Sequence, residues 1–540
     1  MMQNNLPWVR AEGTHLVTED GAPILLRGMG LGGWLLPEGY MWRLPRACDR
    51  PRRIEQLVSD LCGHTYAQSF WDRYHQWYIT EADIRLIQEQ GFNSIRIPFN
   101  ARNLFEVRTE SITFKNQVLD MIDRCIGWCR MHGVYVILDM HGAPGGQTGA
   151  NIDDSEHDQP ELFQDERFQQ QCVQMWYMLA QRYANDSTVV GYDLLNEPLP
   201  EWFSAYDNLV MPLYRRIRDS IRSVDTRHML ILEGTHWSTN WTIFDGLREE
   251  PFDDNCLLQF HKYWNNPDLD SITKFLDYRE RLGMPIFMGE GGENNVWWYT
   301  ALFPLLEQLD ISWNFWSYKK MDCTNSPISF GRPPEWFLLE QFVDDSMVPT
   351  SNQAIALFEN FLACLRWDHP DLRVNLPVLH ALKRELPLDI PAEWFNFSHI
   401  TWRRSSGALV RLDQQASIEF CDGHQGPVGY CRQAGEPQPV DQWLCVALRT
   451  GDRLGYSVKG GAGRRFVFRV IAQIEQDARM RICLDDQVIA EVGFSRLLDF
   501  QQIELCHFEV LPGTHTLWLE VERGVMRLHR LQIEPEGSTV

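Results

Sequence analysis

The chain has 540 residues, of which 44% are hydrophobic and 12% aromatic, enough for two or three globular domains with sizeable cores. The formal net charge of −23 argues against nucleic acid and anionic membranes as partners, because both bind basic surfaces. Tryptophan is abundant, at 21 residues, and its flat ring suits the apolar faces of sugars as well as protein cores.

The pattern of cysteines and the first residues of the chain indicate the cellular compartment in which the protein is expected. The 13 cysteines are scattered and form no Cys-x-x-Cys pair, which is typical of a reducing compartment. Residues 1–15 lack the apolar core of a secretory signal, and no apolar run reaches membrane-spanning length. We therefore expect a cytoplasmic protein, with a mature secreted form as the alternative. Cys125 and Cys129 lie four apart on a predicted helix, where we expect packing rather than metal binding.

Between residues 22 and 320, short apolar runs alternate with longer amphipathic segments. The segment TEADIRLIQEQG predicts a helix with Thr80 as N-cap and Gly91 beyond its end, and NQVLDMIDRCIGWCRMHG ends in the same way at Gly133. The apolar runs number eight and lie at residues 23–34, 92–99, 134–141, 189–198, 228–236, 256–264, 284–290 and 311–319.

Near-continuous apolar strands that alternate with helices predict a parallel sheet covered on its faces. Eight repeats in about 300 residues favour a (β/α)8 barrel over an open doubly wound sheet. No glycine-rich phosphate-binding turn follows the first run, which also disfavours a dinucleotide-binding fold. We expect the long segments 35–80 and 142–165 to form insertions at the carboxyl ends of strands one and three.

From about residue 395 onward the pattern changes to short alternating strands. Runs such as RFVFRVIAQI, FQQIELCHFEV and HTLWLEVERG are separated by Asp-Asp, Pro-Gly and Arg-Gly turn signals. This pattern predicts an all-β sandwich. The sequence therefore predicts two domains, a (β/α)8 barrel over residues 1–390 and a smaller β-sandwich over residues 391–540.

Polar and titratable residues collect at the predicted carboxyl ends of the barrel strands. In a (β/α)8 barrel these ends converge on the site of chemistry. A single strand-end acid often only caps the next helix, whereas a whole set indicates an active site. In chain order the set is Arg96, Asp139, His141, Asn196, Glu197, Glu233, His236, His261, Tyr263, Glu290, Trp313 and Trp316.

Two members of this set, Glu197 and Glu290, end predicted strands four and seven. Hydrolysis of a glycosidic bond uses such a pair, because one acid protonates the leaving oxygen and the other attacks the anomeric carbon or activates water. Arg96 would keep a nearby carboxylate ionised, as a nucleophile requires. Glu233 and Glu293 are the lesser alternatives to Glu290, and Trp313 is the alternative to Trp316 as a platform for the sugar ring.

Six motifs, SIRIPF, ILDMHGAPGG, LLNEP, FHKYW, FMGEGG and WNFWSYK, occur in order within about residues 20–325. Together they resemble the motifs of glycoside hydrolase family 5, the cellulase-type family of retaining β-glycosidases. The resemblance implies that Glu197 is the acid/base and Glu290 the nucleophile, with no cofactor and no metal. It also implies supporting roles for Asn196 at the sugar 2-hydroxyl, Arg96 and Tyr263 at the nucleophile, His141 and His261 beside the substrate, and Trp316 as the stacking platform.

Two segments, GMGLGGWLLPEGYMW and LDMHGAPGGQTGAN, are similar to exo-β-1,3-glucanases of this family. The similarity implies that Glu38 binds the hydroxyls of a terminal sugar. Asp154 is a candidate second acid, in an acidic loop over 151–161 that departs from those relatives. We expect exo action on a β-glucan or small β-glucoside. β-Mannosidase, mannanase or endo-β-1,4-glucanase activity is the alternative.

The C-terminal segments LDDQVIAEV and VLPGTHTLWLEVERG resemble β-sandwich carbohydrate-binding modules of the six/thirty-five kind. Trp518 is the candidate sugar contact there, and a module that only braces the barrel is the alternative. We expect an oligosaccharide, polysaccharide or β-glycoside as the partner.

Two other classes of protein compete with a glycosidase. A metal-dependent barrel hydrolase would use His141, His236 and His261 with Asp139, but the His-x-His pair expected on the first strand is absent from the sequence. A non-catalytic carbohydrate-binding protein would have no need of both carboxylates and the residues around them.

Overall fold

The computed structural model describes residues 6–108, 111–401, 407–461 and 463–537. Residues 1–5, part of the segment that bears on a secretory signal, lie outside the described residues. The chain divides into two compact units. The first comprises Met1–Lys262, Phe275–Gly292 and Asp310–Val374, and the second comprises Tyr263–Lys274, Glu293–Leu309 and Asn375–Val540.

Eight parallel strands close into a barrel, which confirms the predicted fold class. Each strand pairs with its neighbours in chain order, and the last returns to the first with Asn314 opposite Gly28. Nearly all strand residues are buried, which explains their continuous apolar pattern. The strands are β1 (Arg27–Gly30), β2 (Ser94–Asn100), β3 (Tyr135–Gly142), β4 (Val189–Asp193), β5 (Met229–Glu233), β6 (Cys256–Lys262), β7 (Ile286–Gly291) and β8 (Ser312–Phe315).

Helices alternate with these strands along the chain, and the insertion at 35–80 contributes two of them. They are α1 (Pro51–Cys62), α2 (His64–Tyr78), α3 (Glu81–Glu89), α4 (Asn116–His132), α5 (Glu166–Tyr183), α6 (Val210–Arg222), α7 (Thr273–Leu282), α8 (Val296–Gln308), α9 (Phe337–Val343), α10 (Ser351–Cys364) and α11 (Leu376–Lys383). One-turn α-helices lie at Ala101–Leu104, Glu161–Gln164 and Thr235–Ser238. Within the described ranges, no helix has both the length and the apolarity that crossing a bilayer requires.

Short 3₁₀ segments lie in the connections, at Gly39–Trp42, Arg46–Cys48, Glu201–Leu209, Thr242–Arg248, Pro334–Trp336, Ala392–Trp394 and Val440–Gln442. Two small sheets accompany the barrel in the first unit. One pairs Phe105–Arg108 with Ser111–Phe114, and the other joins Lys319–Met321, Ile328–Phe330 and Arg373–Val374.

The helix ends predicted from local signals are confirmed. Thr80 caps α3 in a capping box with Asp83, and Gly91 follows with a φ of +83°. Gly133 ends α4 in the left-handed conformation, with a φ of 71°. The two cysteines of α4 are both fully buried free thiols, so they pack as expected.

An N-terminal hairpin of Val9–Glu12 and His15–Thr18 closes one end of the barrel. Val9 and Leu16 pack in one apolar cluster with residues near the beginnings of β3 to β7, namely Tyr135, Ile137, Val190, Met229, Ile231, Leu257 and Phe287. Because this plug is at the amino ends of the strands, the accessible mouth of the barrel is at their carboxyl ends.

From Leu388 onward, the described residues form strands and short 3₁₀ segments without an α-helix, which confirms the all-β character predicted for the C-terminal part. Its strands are antiparallel, and two are far longer than predicted, at 21 and 23 residues. They lie at Leu388–Pro391, Phe397–His399, Ser417–Phe420, Leu444–Arg449, Arg453–Gly460, Arg464–Leu484, Gln487–Phe494, Leu497–Val510 and Gly513–Pro535.

The turn predicted at Arg523-Gly524 is wrong, because these residues lie inside the single strand Gly513–Pro535. Gly524 has a φ of +97°, and a Cβ placed there would lie 2.5 Å from the carbonyl oxygen of Asp477 on the neighbouring strand. Glycine is therefore required for an irregular strand crossing rather than for a turn. The predicted Asp-Asp turn is confirmed, since Asp485 and Asp486 lie between two strands. Of the predicted Pro-Gly pair, Pro512 lies between strands and Gly513 begins the next one.

Trp518 pairs across the sheet with Gly455, and a Cβ on this glycine would lie 2.7 Å from the indole ring. The guanidinium of Arg453 lies 3.9 Å from the centre of the same ring. Protein atoms therefore cover much of Trp518. Sugar binding by this unit stays a prediction.

A buried ion pair fastens α3 to the segment that follows β8. Asp83 and Lys319 have fully buried side chains, and the ammonium of Lys319 lies 3.2 Å from Asp83 Oδ1. Burial lowers the pKa of Lys319, and the carboxylate of Asp83 opposes that shift. The other oxygen of Asp83 accepts the Thr80 amide at 2.8 Å and the Trp367 indole N–H at 3.2 Å. One carboxylate thus caps a helix and neutralises a buried cation.

We expect Asp83→Asn to lower the free energy of unfolding by about 3 kcal/mol or more, because it leaves Lys319 buried without its counter-charge. Thr80→Ala, which removes the cap and the hydroxyl contact with Asp83 but keeps both buried charges, should cost about 1 kcal/mol. Urea unfolding measures both, with Glu89→Gln on the exposed face of α3 as the control. Equal losses from Asp83→Asn and Thr80→Ala would contradict a stabilising role for the buried pair.

Candidate active site

The carboxyl ends of the strands gather polar side chains around one guanidinium. Arg96 projects from β2 and is fully buried. Burial alone would lower the pKa of Arg96, but the surrounding carboxylates outweigh it and raise this pKa well above its ordinary value. The nitrogens of Arg96 contact Glu290 Oε1 at 2.5 Å, Asp193 Oδ2 at 2.8 Å, Asn196 Oδ1 at 2.9 Å, Glu233 Oε1 at 3.0 Å and Asp139 Oδ2 at 3.2 Å.

Strand β3 delivers a histidine that carries charge. Asp139 and His141 are two residues apart on the strand, so both side chains point to the same side. Asp139 Oδ2 lies 2.7 Å from His141 Nδ1. Burial lowers the pKa of His141, but Asp139 outweighs this and raises it to about 9. His141 is therefore an imidazolium at neutral pH.

Glu197 lies beyond the end of β4 rather than on it. The predicted run to Pro198 was too long, because β4 ends at Asp193. The following segment is still held on both sides, by Leu194 N–H to Ile231 O and by Asn196 N–H to Met140 O, both at 3.2 Å.

The backbone at Glu197 adopts a left-handed φ of 41°, which is unfavourable for a non-glycine residue. Its amide donates to Glu233 Oε2 at 2.8 Å. Glu233 in turn contacts Arg96 through its other oxygen. The direction of the Glu197 side chain therefore depends on Glu233, which sequence reasoning had considered only as a rival carboxylate.

A second buried histidine lies between the two predicted catalytic acids. His261 Nδ1 is 2.6 Å from Glu197 Oε1 and 3.4 Å from Glu290 Oε2. A register shift in the pairing of β6 with β7 sets His261 opposite Glu290. Burial lowers the pKa of His261, but Glu233, Glu290 and Glu197 outweigh it and raise it well above the ordinary value.

Glu197, His261 and Glu290 form a compact trio. One carboxylate oxygen of each glutamate and one ring nitrogen of His261 all lie within 4.8 Å of one another. Within the described part of the chain, this is the group with a spacing that suits a metal ion. The four residues predicted as metal ligands for the competing hydrolase do not form one group. Asp139 is hydrogen-bonded to His141, whereas His236 Nε2 contacts a different acid, Asp207, at 3.0 Å.

Trp316 is the aromatic face at the mouth of the barrel. Its ring stacks on His141 with centroids 5.3 Å apart and planes 7° from parallel. Its indole N–H donates to the hydroxyl of Tyr40 at 3.0 Å. A Cβ at Gly30 or Gly32 would lie 2.7 or 2.8 Å from the ring, so the glycine-rich stretch after β1 makes room for this tryptophan.

Trp313, the alternative platform, is fully buried and packs edge to face against Phe92. Glu38 lies in the loop after β1, is 2% exposed and directly precedes the segment that carries Tyr40. Tyr263 follows β6 immediately but belongs to the second unit, so its predicted contact with Glu290 stays a prediction.

Asp154 ties the acidic loop to residues of other segments. Its carboxylate accepts from the Arg52 amide and the Asn100 side chain, both at 2.9 Å, and from Arg102 Nε at 2.5 Å. These contacts occupy the carboxylate, so Asp154 holds the acidic loop in place rather than facing a sugar.

Two buried residues of the site, Gln259 and Asp193, were missed by sequence reasoning. Gln259 on β6 donates to Asp193 at 3.0 Å and to Glu233 at 2.5 Å. A Cβ at Gly289 would lie 2.0 Å from Gln259, so the glycine before Glu290 makes room for it. Burial and the charge of Glu233 raise the pKa of Asp193 to about 7. The signal for Gln259 was its spacing of two residues from His261 on one strand.

Comparisons with known proteins agree with this geometry. Residues 60–322 match the family described as Cellulase (glycosyl hydrolase family 5). A β-xylosidase of Phanerodontia chrysosporium is 31% identical over 44% of this chain and 48% of its own length. Endoglucanase C of Acetivibrio thermocellus is 26% identical over 47% of this chain and 88% of its own length. A probable glucan 1,3-beta-glucosidase A of Aspergillus fumigatus is 28% identical over 49% of this chain and 64% of its own.

Among solved structures, that of an endogalactoceramidase aligns over 97% of this chain and 100% of its own, with a TM-score of 0.50 and 15% identity. At that identity the likeness concerns the fold alone. The family match and the names of the relatives support O-glycosyl hydrolase activity. Over residues 60–322, the chain is therefore similar to glycoside hydrolase family 5.

Proposed function

We propose that the protein is a retaining β-glycoside hydrolase that acts on β-linked glucosides or glucans and cuts one unit from the non-reducing end. One observation carries the retaining mechanism. A carboxylate oxygen of Glu197 lies within 4.8 Å of one of Glu290. Retaining enzymes hold their two carboxyl groups about 5 Å apart, whereas inverting enzymes leave about 6.5–9.5 Å for a water molecule.

In the first step, a carboxylate oxygen of Glu290 attacks the anomeric carbon while the bond to the leaving oxygen breaks. Glu197 gives its proton to that oxygen. Arg96, whose guanidinium lies 2.5 Å from Glu290, favours the ionised form of this carboxylate. The nucleophile is therefore charged before the substrate arrives.

In the second step, Glu197 takes a proton from a water molecule, which attacks the anomeric carbon and displaces Glu290. His261 lies 2.6 Å from Glu197 and can stabilise the carboxylate that the first step leaves behind. Two inversions at one carbon retain the β configuration.

Two observations support exo action on a glucan. The buried Glu38 and the stacked Trp316 lie on adjacent strand ends, after β1 and β8, and offer hydrogen bonds and an apolar face to a terminal sugar. One relative is named a glucan 1,3-beta-glucosidase. Endo-β-1,4-glucanase action is the second candidate, because another relative is named an endoglucanase.

The two acids should respond differently to substitution. We expect Glu290→Gln to reduce kcat roughly a thousandfold or more on every substrate, because no nucleophile remains. Glu197→Ala should lose natural β-glucosides but spare 2,4-dinitrophenyl β-glucoside, whose leaving group needs no proton. Added azide should then yield the β-glycosyl azide, identified by NMR.

Glu201→Gln changes an exposed carboxylate on the same loop and serves as the control. Equal loss on natural and activated substrates in Glu197→Ala would rule out its role as acid/base. An α-configured azide product would rule out retention.

Product sizes test exo action. With β-1,3-, β-1,4- and β-1,6-linked glucose oligosaccharides, we expect glucose as the first product, and longer first products would indicate endo action. Glu38→Gln should lower kcat/KM about 10- to 100-fold on these oligosaccharides, because hydrogen bonds from sugar hydroxyls to a buried carboxylate are lost. A normal kcat/KM in this variant would remove Glu38 from the sugar site.

The pKa of His141 predicts how stability depends on pH. This pKa is about 9 in the folded chain and 6.5 ordinarily, so the stabilisation by the charged ring is complete below pH 6.5 and is lost as pH rises to 9. Over this window we expect His141 to lower the free energy of unfolding by up to about 3 kcal/mol, and His141→Gln to remove that contribution.

Urea unfolding at several pH values measures this. His75→Gln is the control, because burial lowers the pKa of His75 to about 4, so this histidine is neutral throughout the window. An unchanged slope in His141→Gln would contradict the charged state of His141.

A further inference from the structure

An exposed pair of tryptophans lies on the loops after β4 and β5. Trp202 is 65% exposed and lies five residues beyond Glu197, in the segment Glu201–Leu209. Its ring is 5.6 Å from that of Trp237, at 62°. An edge-to-face contact of this kind uses little of the indole surface, so Trp202 keeps broad apolar area open to solvent. The proposed reaction steps make no use of this pair.

The backbone that presents Trp237 is strained. His236, Trp237 and Ser238 have left-handed φ values of 54°, 60° and 59°. Each such residue costs about 1–3 kcal/mol, and this strain persists only where the surroundings enforce it. A loop that merely linked a strand to a helix would have no need of three successive residues of this kind.

Hydrogen bonds enforce this conformation and join the two loops. The His236 amide donates to Leu199 O at 2.7 Å, and His236 Nε2 lies 3.0 Å from Asp207. The hydroxyl of Ser238 donates to the carbonyl of Gln259 on β6 at 2.9 Å. The two tryptophans are therefore held at a fixed place on the rim of the barrel.

That place lies across the mouth from the sugar platform. In the closed order of eight strands, β4 and β5 are opposite β8 and β1. Trp316 and Glu38 follow β8 and β1, whereas the proton donor Glu197 comes from the β4 side. In the proposed reaction the leaving oxygen receives its proton from Glu197, so the leaving group lies on the β4 side of the mouth, the side to which the loop of Trp202 belongs.

We propose that Trp202 and Trp237 form the binding site for the leaving group, and that this group is a second sugar unit that stacks its apolar face on Trp202. The inference rests on the proposed function. Asp207 and His236, each 21% exposed, contact each other in the same two loops, so the surroundings of the pair are polar and suit a sugar better than an alkyl chain. The enzyme then recognises a disaccharide linkage rather than a terminal sugar alone.

The test compares substrates that differ only in the leaving group. β-Glucosyl fluoride has no ring to stack, whereas β-1,3- and β-1,4-linked glucose disaccharides do. We expect Trp202→Ala to lower the ratio of kcat/KM for the better disaccharide to kcat/KM for the fluoride about tenfold, mainly through KM. Trp202→Phe keeps an aromatic ring and should stay within about threefold of wild type, which separates lost stacking from misfolding.

Met131→Ala is the matched control. Met131 is 63% exposed at the end of α4, just before β3 begins, and so lies at the other end of the barrel. An unchanged ratio in Trp202→Ala overturns the inference alone. A larger loss on octyl β-glucoside than on the disaccharides overturns the sugar assignment. Failure of the wild-type protein to hydrolyse the fluoride overturns the proposed function and the inference with it.

Discussion

The charge of Arg96 is the constraint on which the carboxyl end of the barrel depends. It is one fully buried guanidinium in contact with four carboxylates from four strands, namely Asp139, Asp193, Glu233 and Glu290. Without that cation, each acid would lose its main compensation for leaving water, a penalty of several kcal/mol for each ion. The pKa of about 7 for Asp193 indicates that the acids outnumber the charge available to hold them all ionised. At neutral pH the cluster therefore holds both ionised and protonated carboxyl groups.

The orientation of Glu197 and Glu290 also depends on Arg96. Glu233 contacts Arg96 with one oxygen and accepts the amide of Glu197 with the other, so the proposed proton donor and the proposed nucleophile are oriented by the same cation. Close packing supports the arrangement, because Gly289 leaves room for Gln259 beneath the acids. A site built on rigid strand ends in this way is already organised before the substrate binds.

The sequence was informative where structure follows from local rules. The eight strands, the cap at Thr80 and the helix end at Gly133 follow from periodicity and capping chemistry. Strand ends also located three of the four carboxylates that contact Arg96, namely Asp139, Glu233 and Glu290, whereas Asp193 was missed. Features that depend on distant partners were missed. The end of β4 is set by its neighbouring strands, and Gly524 lies in a strand because Asp477 crosses it closely. Likewise, nothing local predicts the left-handed backbone at Trp237.

The two sides of the mouth differ in burial, and a double displacement accounts for the difference. Trp316 is 4% exposed and Glu38 is 2% exposed, whereas Trp202 across the mouth is 65% exposed. In the proposed mechanism the glycosyl unit stays bound through two steps and is attached covalently between them, so deep, preformed contacts suit it. The leaving group must depart after the first step to admit water. Tight binding there would slow turnover, so a shallow, solvent-exposed face serves the reaction better than a closed pocket.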